Sequence, residues 1–173
     1  MDIKKVKQAK KGNKKAFQDL LEAEKEKLYK MAYLYMKNEA DALEAFQETV
    51  YKALVSIQQL REEQYFSTWL ARILINTCKD LLKKKSRVIP MEREVLEDRT
   101  SPYMPEDDSS ELLELIKGLD EKYKTVLMLR YYRDYSVRQI AELLECPEGT
   151  VKTNIHRGIG QLREKMKEEC VNE

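Results

Sequence analysis

The sequence predicts an all-α protein of two small helical domains joined by a flexible acidic linker, the second being a helix-turn-helix domain. Three observations favour this fold class. Apolar residues recur at the three- and four-residue spacing of amphipathic helices. Only 5 Gly and 4 Pro occur in 173 residues, which disfavours the turn-rich sequences of sandwiches and barrels. An acidic stretch that contains prolines interrupts the helical pattern near the middle of the chain.

The predicted domains are residues 1–87 and 108–173, and the linker is residues 88–107. The charge changes sign around this linker, because residues 90–111 contain eight acidic residues, two Arg and three of the prolines. Such a composition is typical of an extended segment without a core of its own. Residues 1–15, by contrast, contain seven Lys and one Asp. The net charge of +1 therefore hides strongly charged segments of opposite sign.

The first two helices of the first domain follow from helical spacing and end signals. Apolar residues predict a helix over residues 17–35 that ends at Asn38, and a second helix over residues 41–57 that Asp41 caps. The apolar residues that this second helix carries are Ala45, Val50, Ala53 and Leu54.

The third helix follows a polar segment, residues 57–67, which predicts a loop. Ser67 or Thr68 is expected to cap a helix over residues 69–85. One face of this helix combines cations, an amide and an aromatic ring, at Trp69, Arg72, Asn76, Lys79 and Lys83. Such a face suits phosphates and unstacked bases, although it is also compatible with a solvated helix surface on which Trp69 is half-buried.

The second domain contains the strongest local signal in the chain. After a helix over residues 121–132, Ser136 and Gln139 match a capping box, in which each side chain bonds the backbone amide of the other. This box predicts a short helix over residues 137–144. The residues of this helix expected to face inward are Ile140, Ala141 and Leu144.

A turn over residues 146–149 then leads to a final helix from Val151, with Thr150 as its cap. A short helix, a Gly-containing turn and a longer helix form a helix-turn-helix. The apolar positions of the final helix are Val151, Ile155, Ile159, Leu162 and Met166. Its polar positions, which suit base edges and phosphates, are Lys152, Thr153, His156, Arg157 and Arg163. Core packing alone also produces such helix pairs.

The sequence offers no signal for catalysis, a cofactor or a metal. Cys78, Cys146 and Cys170 are widely spaced, which disfavours a disulfide framework or a zinc site. His156 is the only histidine, and it lacks a neighbouring catalytic constellation. We therefore expect a protein that is not an enzyme. Without a signal peptide or a long apolar run, we also expect it to be cytoplasmic.

Three segments, taken in order, resemble the extracytoplasmic-function (ECF) sigma factors of the sigma-70 family. Residues 41–48 (DALEAFQE) resemble the family's polymerase-binding helix, and residues 66–80 (FSTWLARILINTCKD) its −10-reading helix. Residues 140–157 resemble its −35 helix-turn-helix. The resemblance extends over about residues 15–168, and the order of the motifs around a linker makes it specific. It implies a subunit that binds core RNA polymerase and promoter DNA.

The resemblance also implies a role for residues at each matching segment. The residues implied in −35 binding are Thr150, Lys152, Thr153, His156 and Arg157. The loop over residues 60–66 is implied to hold a flipped base, and the residues implied in −10 binding are Phe66, Trp69, Arg72, Asn76 and Lys79. The residues implied in core polymerase binding are Asp41, Glu44, Gln47 and Glu48. Two positions depart from the family pattern, with Leu43 in place of an acid and Phe46 bulkier than usual.

An anti-sigma factor, expected to be tethered to the membrane, is the third implied partner, and it would hold the protein inactive until a stress signal. The linker is implied to enter a basic channel of polymerase, although a solubilising spacer has the same composition. An alternative function from the helix-turn-helix alone is a free-standing regulator that binds DNA as a dimer. This alternative requires a dimer interface and palindromic sites.

Overall fold

The computed structural model describes residues 2–87 and 115–171. The chain divides into two compact units, drawn from residues 1–104 and 105–173. Within the described ranges every regular element is a helix, so the predicted all-α class is confirmed. The predicted linker, residues 88–107, lies outside the described residues.

The basic N-terminal segment forms a helix, α1 (Ile3–Lys10). The Asp2 carboxylate caps it by accepting hydrogen bonds from the backbone amides of Lys4 at 3.0 Å and Lys5 at 3.2 Å. Two small apolar residues of α1, Val6 and Ala9, are buried. The sequence pattern did not predict this helix, because two buried residues in eight are too few to produce a clear period.

The long helix α2 (Lys14–Met36) and α3 (Glu39–Ser56) are separated by two residues. Lys37 takes the left-handed conformation, with φ 63°, and ends α2. Asn38 then caps α3, because its side-chain oxygen accepts the Asp41 amide at 2.8 Å. The prediction that Asp41 caps this helix and Asn38 ends the previous one was therefore wrong. The cap stands three residues earlier, and α3 starts at Glu39.

Two short 3-10 turns, Ile57–Gln59 and Glu63–Tyr65, occupy most of the predicted loop before α4 (Phe66–Arg87). The second turn runs directly into α4 without a separate cap. The predicted capping by Ser67 or Thr68 was wrong, because both residues lie inside the helix. The Ser67 hydroxyl instead donates to a Glu24 carboxylate oxygen on α2, at 2.6 Å.

The core of the first unit lies where α2, α3 and α4 pack together. Its fully buried large side chains include Leu28, Met31, Phe66, Leu70 and Leu74. Burial of each such side chain contributes about 1.5–3 kcal/mol, so these residues hold the faces of the helices in register. Of the apolar residues predicted along α3, Leu54 lies on the outer side of the helix, since 48% of it is exposed.

The second unit contains a helical segment at residues 115–117, then α5 (Glu121–Leu127), α6 (Val137–Leu144) and α7 (Glu148–Val171). The predicted helix over residues 121–132 is present, but its end, Met128–Tyr132, is π-helical. In α6 the buried leucine is Leu143 and not the predicted Leu144. On α7, Met166 is 50% exposed rather than packed.

Gly158 of α7 permits a close approach to α5. A Cβ atom at this position would lie 2.9 Å from Leu127 Cδ1 and 3.2 Å from Tyr123 Cβ. Contacts this short mean that a side chain here would require its neighbours to shift. The absence of a side chain at Gly158 therefore favours the close packing of α7 against α5.

Candidate nucleic-acid interface

The helix-turn-helix of the second unit is built from α6 and α7. The predicted capping box is confirmed by two hydrogen bonds. The backbone amide of Gln139 donates to Ser136 Oγ at 3.2 Å, and the backbone amide of Ser136 donates to Gln139 Oε1 at 2.8 Å. Glu145 ends α6 in the left-handed conformation, with φ 53°. Pro147 then precedes α7, which begins at Glu148. The start of α6 is thus held by local hydrogen bonds that the sequence specifies.

The start of α7 separates a buried face from an exposed polar face. Val151 and Gly158 are buried against the rest of the unit. The exposed polar residues are Lys152, Thr153, His156 and Arg157. These are four of the five residues predicted for the −35 set, and the structure brings them together on one side of the helix. They present cationic and hydrogen-bonding groups close to the helix N-terminus.

Thr150 differs from its predicted position as the helix cap. Because α7 begins at Glu148, Thr150 lies in the first turn, where its backbone amide donates to the Pro147 carbonyl at 3.0 Å. The predicted capping role was therefore wrong. The side chain of Thr150 is exposed beside Thr153, so its expected contact with a DNA backbone remains a prediction.

Two contacts orient the exposed residues at the start of α7. The Thr153 hydroxyl donates to the Gly149 carbonyl at 2.8 Å, and this leaves its oxygen lone pairs available as acceptors. Lys152 Nζ lies 3.9 Å from a Glu148 carboxylate oxygen in an exposed ion pair. A pair of this kind is weak, so a phosphate can replace the carboxylate at low cost.

A second candidate surface lies on α4 in the first unit. Arg72, Asn76 and Lys79 are exposed on one face, as the helical pattern predicted, and Trp69 is half-buried. The Trp69 ring lies 5.9 Å from the Phe66 ring, at an angle of 40° between their planes. This packing holds one aromatic ring at the edge of a basic face, an arrangement that suits stacked bases and phosphates.

Phe66 itself is fully buried. It cannot stack on a base without leaving the core, so its assignment to the −10-contacting set is corrected to a support for Trp69. The residue before it, Tyr65, is 44% exposed and offers an aromatic surface that sequence reasoning missed. Tyr65 and Phe66 are adjacent in the sequence, and this pair of aromatic residues is the signal that could have indicated Tyr65.

The loop before α4 is anchored at both ends and tied to α1. Leu60 is buried, whereas Arg61 and Gln64 are exposed between it and Phe66. Lys10 Nζ of α1 lies 3.0 Å from a Glu63 carboxylate oxygen. The pKa of the Glu63 carboxyl is lowered chiefly by this hydrogen bond. The loop is therefore a supported structure, and not a free connection between helices.

The acidic residues of α3 form a third candidate surface. Glu44 and Gln47 are exposed, and Glu48 is half-buried with Lys52 Nζ 3.5 Å from its carboxylate. Asp41 pairs with Lys85 of α4 and also contacts Asn38. Of the four predicted polymerase-binding residues, Asp41 therefore also has a structural function within the unit.

Exposed apolar side chains lie beside these acidic residues. Leu43 is 46%, Tyr51 64%, Leu54 48% and Val55 66% exposed. A groove of about 570 Å³ separates this part of α3 from α4, and its lining includes Glu44, Gln47 and Tyr51. Leu54 is apolar like the buried Ala45 and Ala53, and the sequence pattern alone did not indicate that it belongs to this exposed surface. A mixed acidic and apolar surface is suited to contact with another protein.

Other kinds of site find little support in the described part of the chain. No group of three or more His, Cys, Asp or Glu side chains there is arranged to hold a metal ion. None of its helices combines the length and the apolar character needed to cross a membrane. Cys78 is buried and Cys146 is half-buried, and neither forms a disulfide bond.

Comparison with protein families gives two matches that follow the two units. Residues 20–88 match the family described as Sigma-70 region 2, and residues 109–162 match Sigma-70, region 4. The first match contains α3, the loop and the exposed face of α4. The second contains α5, α6 and the start of α7. All three candidate surfaces therefore fall inside the matched regions.

Curated relatives match nearly the whole chain. The ECF RNA polymerase sigma factor SigW of Bacillus subtilis is 34% identical, over 95% of this chain and 96% of its own length. The ECF RNA polymerase sigma-E factor of Haemophilus influenzae is 33% identical, over 93% of each chain. The sigma factor RpoE of Bartonella quintana, solved in complex with the anti-sigma factor NepR, shares the fold with a TM-score of 0.76 at 20% identity, over 88% of this chain and 98% of its own.

Proposed function

We propose a separate function for each of the two units of this chain, which belongs to the ECF RNA polymerase sigma factors of the sigma-70 family. The first unit binds core polymerase through α3 and the −10 element through the loop and α4. The second unit binds the −35 element through the start of α7. The protein acts in the cytoplasm with polymerase, contributes no catalytic step and promotes strand opening.

The observation that carries this proposal is the exposed cationic face at the start of α7. Lys152 and Arg157 supply positive charge, and Thr153 and His156 supply hydrogen-bonding groups, all on the side opposite the buried Val151. A helix presented in this way fits the major groove, where a good bidentate contact discriminates between bases by about 1–3 kcal/mol. Lysine contacts with phosphates add affinity that does not depend on sequence.

The face of α4 supports a different kind of DNA contact. Arg72 and Lys79 provide charge for the backbone of a strand, and Trp69 provides part of a ring for stacking. Base stacking on aromatic side chains contributes about 1–3 kcal/mol per base, with little dependence on sequence. The loop before α4 is the proposed site of the flipped base, and Tyr65 becomes a stacking candidate in place of Phe66.

Two modest DNA contacts gain strength when polymerase holds both units. Once one unit is bound to promoter DNA, the second contact becomes intramolecular, and its effective concentration rises. The acidic and apolar surface of α3, including Glu44, Gln47 and Leu54, is the proposed contact with core polymerase. Its exposed apolar area supports a protein partner rather than nucleic acid at this surface.

Regulation by an anti-sigma factor is part of the proposal. A relative with the same fold was solved with such a factor, and one that covered the α3 surface would block access to core polymerase. The alternative of a free-standing dimeric regulator accounts for the second unit alone. The family matches cover both units, and they favour the sigma factor over this alternative.

The proposal is tested by measuring DNA binding with and without core polymerase. Wild-type protein and core are first used to recover promoters from a random-sequence library. We expect Arg157→Gln to reduce selection of the −35 sequence, and Arg72→Gln with Lys79→Gln to reduce binding at −10 while −35 selection persists. Recovery of palindromic sites by the chain without core would contradict the proposal and support the dimeric regulator.

A further inference from the structure

The exposed side of α1 carries a row of lysines that none of the roles above uses. Lys4 and Lys7 of α1 are exposed, as is Lys11, which directly follows the last residue of the helix, and the three form the lysine stripe. At 100° per residue they fall within an arc of about 60°. The buried residues of the same helix, Val6 and Ala9, lie on the opposite side. The stripe therefore points away from the body of the first unit.

The position of α1 is set by two ion pairs, one on each side of the stripe. Lys5 Nζ lies 2.8 Å from Asp19 Oδ2 of α2, and Lys10 Nζ lies 3.0 Å from Glu63 Oε1 of the loop before α4. The charge of Lys7 also contributes to the lowered pKa of the Glu63 carboxyl, after the larger effect of Lys10. One edge of the stripe therefore lies alongside this loop.

The stripe forms no ion pair with a carboxylate of the described residues. None of its three lysines is within ion-pair distance of a described carboxylate, in contrast to Lys5 and Lys10. Three like charges on one face of a short helix repel one another, and a polyanion would remove that cost.

We propose that the lysine stripe binds the phosphate backbone of the DNA strand whose base is held by the neighbouring loop. The inference rests on the proposed function of that loop. Lysine ammonium groups act as point charges, so the stripe adds affinity and orientation without reading sequence. It extends the DNA-binding surface of the first unit from α4, across the loop, to the N-terminal helix.

The test compares two pairs of exposed lysines in the full-length chain bound to core polymerase. The DNA is a promoter recovered by the wild-type holoenzyme, prepared with unpaired bases around the −10 element. We expect Lys7→Gln with Lys11→Gln to lower the magnitude of the slope of log affinity against log salt by about 1.4. Each lost contact with a single-strand phosphate contributes about 0.7 to this change. The matched control, Lys27→Gln with Lys37→Gln on and after α2, should leave the slope unchanged.

Arginine at both stripe positions should restore the slope, because it keeps the charge. Three outcomes overturn the inference: a slope equal to that of wild type, an equal loss in the control pair, or a loss of core binding with an unchanged slope. The last outcome would place a protein partner on the stripe. If the wild-type holoenzyme recovers no promoter, the proposed function is contradicted, and the inference is contradicted with it. This result differs from a binding defect that is confined to the stripe variant.

Discussion

Replacement of Gly158 by alanine tests whether the close contact between α5 and α7 determines the position of α7. The added Cβ would lie 2.9 Å from Leu127 Cδ1, 3.3 Å from Leu127 Cγ and 3.2 Å from Tyr123 Cβ. The Leu127 methyl group can rotate, but Tyr123 Cβ is fixed to the backbone. The helices must therefore separate by a few tenths of an ångström at this point.

Two opposing effects determine the change in the free energy of unfolding. Alanine favours a helix interior over glycine by about 1 kcal/mol, and overpacking of a core costs about 1–3 kcal/mol. We expect Gly158→Ala to destabilise the second unit by about 1 kcal/mol. Gly160 has no atom within 4 Å of its Cβ position, so Gly160→Ala should stabilise by about 1 kcal/mol.

The assay is thermal unfolding followed by two signals. Trp69 is the only tryptophan, so its fluorescence reports the first unit, while far-ultraviolet circular dichroism reports both. For a domain of this size, 1 kcal/mol corresponds to about 4–8 °C in Tm, so the two variants should differ by about 8–16 °C in the transition of the second unit. Equal stabilisation by both substitutions would refute the argument from the contact at Gly158.

Three further predictions address the other surfaces. Arg157→Ala should weaken −35 binding by about 1–3 kcal/mol, which is about 5- to 150-fold, with no change in Tm. Gln47→Ala with Glu48→Ala should weaken core polymerase binding by about 1–3 kcal/mol and leave the affinity for free DNA unchanged. Because Lys10 lowers the pKa of the Glu63 carboxyl, ionised Glu63 stabilises the fold above the ordinary carboxyl pKa. This contribution is lost as pH falls through the lowered pKa, so the Tm of wild type should approach that of Glu63→Gln in acid.

Each of these predictions has its own control. Arg163→Ala, about 9 Å further along α7 at 1.5 Å per residue, should affect −35 binding less than Arg157→Ala, and equal effects would mean that the contacting face is assigned wrongly. For core binding, a pull-down that retains the double variant in full would contradict the role of α3. For the ion pair, a difference in Tm between wild type and Glu63→Gln that does not change with pH would show that the Lys10–Glu63 contact contributes little.

Local signals in the sequence predicted the helix-turn-helix well. The capping box depends on two side chains three residues apart, Ser136 and Gln139, so no tertiary information was needed. The exposed faces of α4 and α7 followed from helical periodicity, because each helix buries one side. Caps were less predictable where two suitable residues lie close together. Asn38 and Asp41 are both good caps, and the left-handed turn at Lys37 decides between them.

The errors came from residues whose positions depend on packing between distant segments. Phe66 is adjacent to a loop in sequence, but the turn before α4 directs it into the core. Leu54 is apolar but lies on the exposed side of α3, and an apolar residue type alone does not indicate on which side of a helix it lies. The support of the loop by α1 depends on Lys10 meeting Glu63, 53 residues away. Neither composition nor periodicity contains a signal for such a pair.

Transcription by purified components tests the central proposal most directly. Core polymerase is given a promoter recovered from the library, with and without the full-length chain, and transcripts are measured in a single round. We expect transcripts that start at one position only when the chain is present, and a loss of these transcripts when Arg72 and Lys79 are both replaced by glutamine. Transcripts that are the same without the chain would contradict the account.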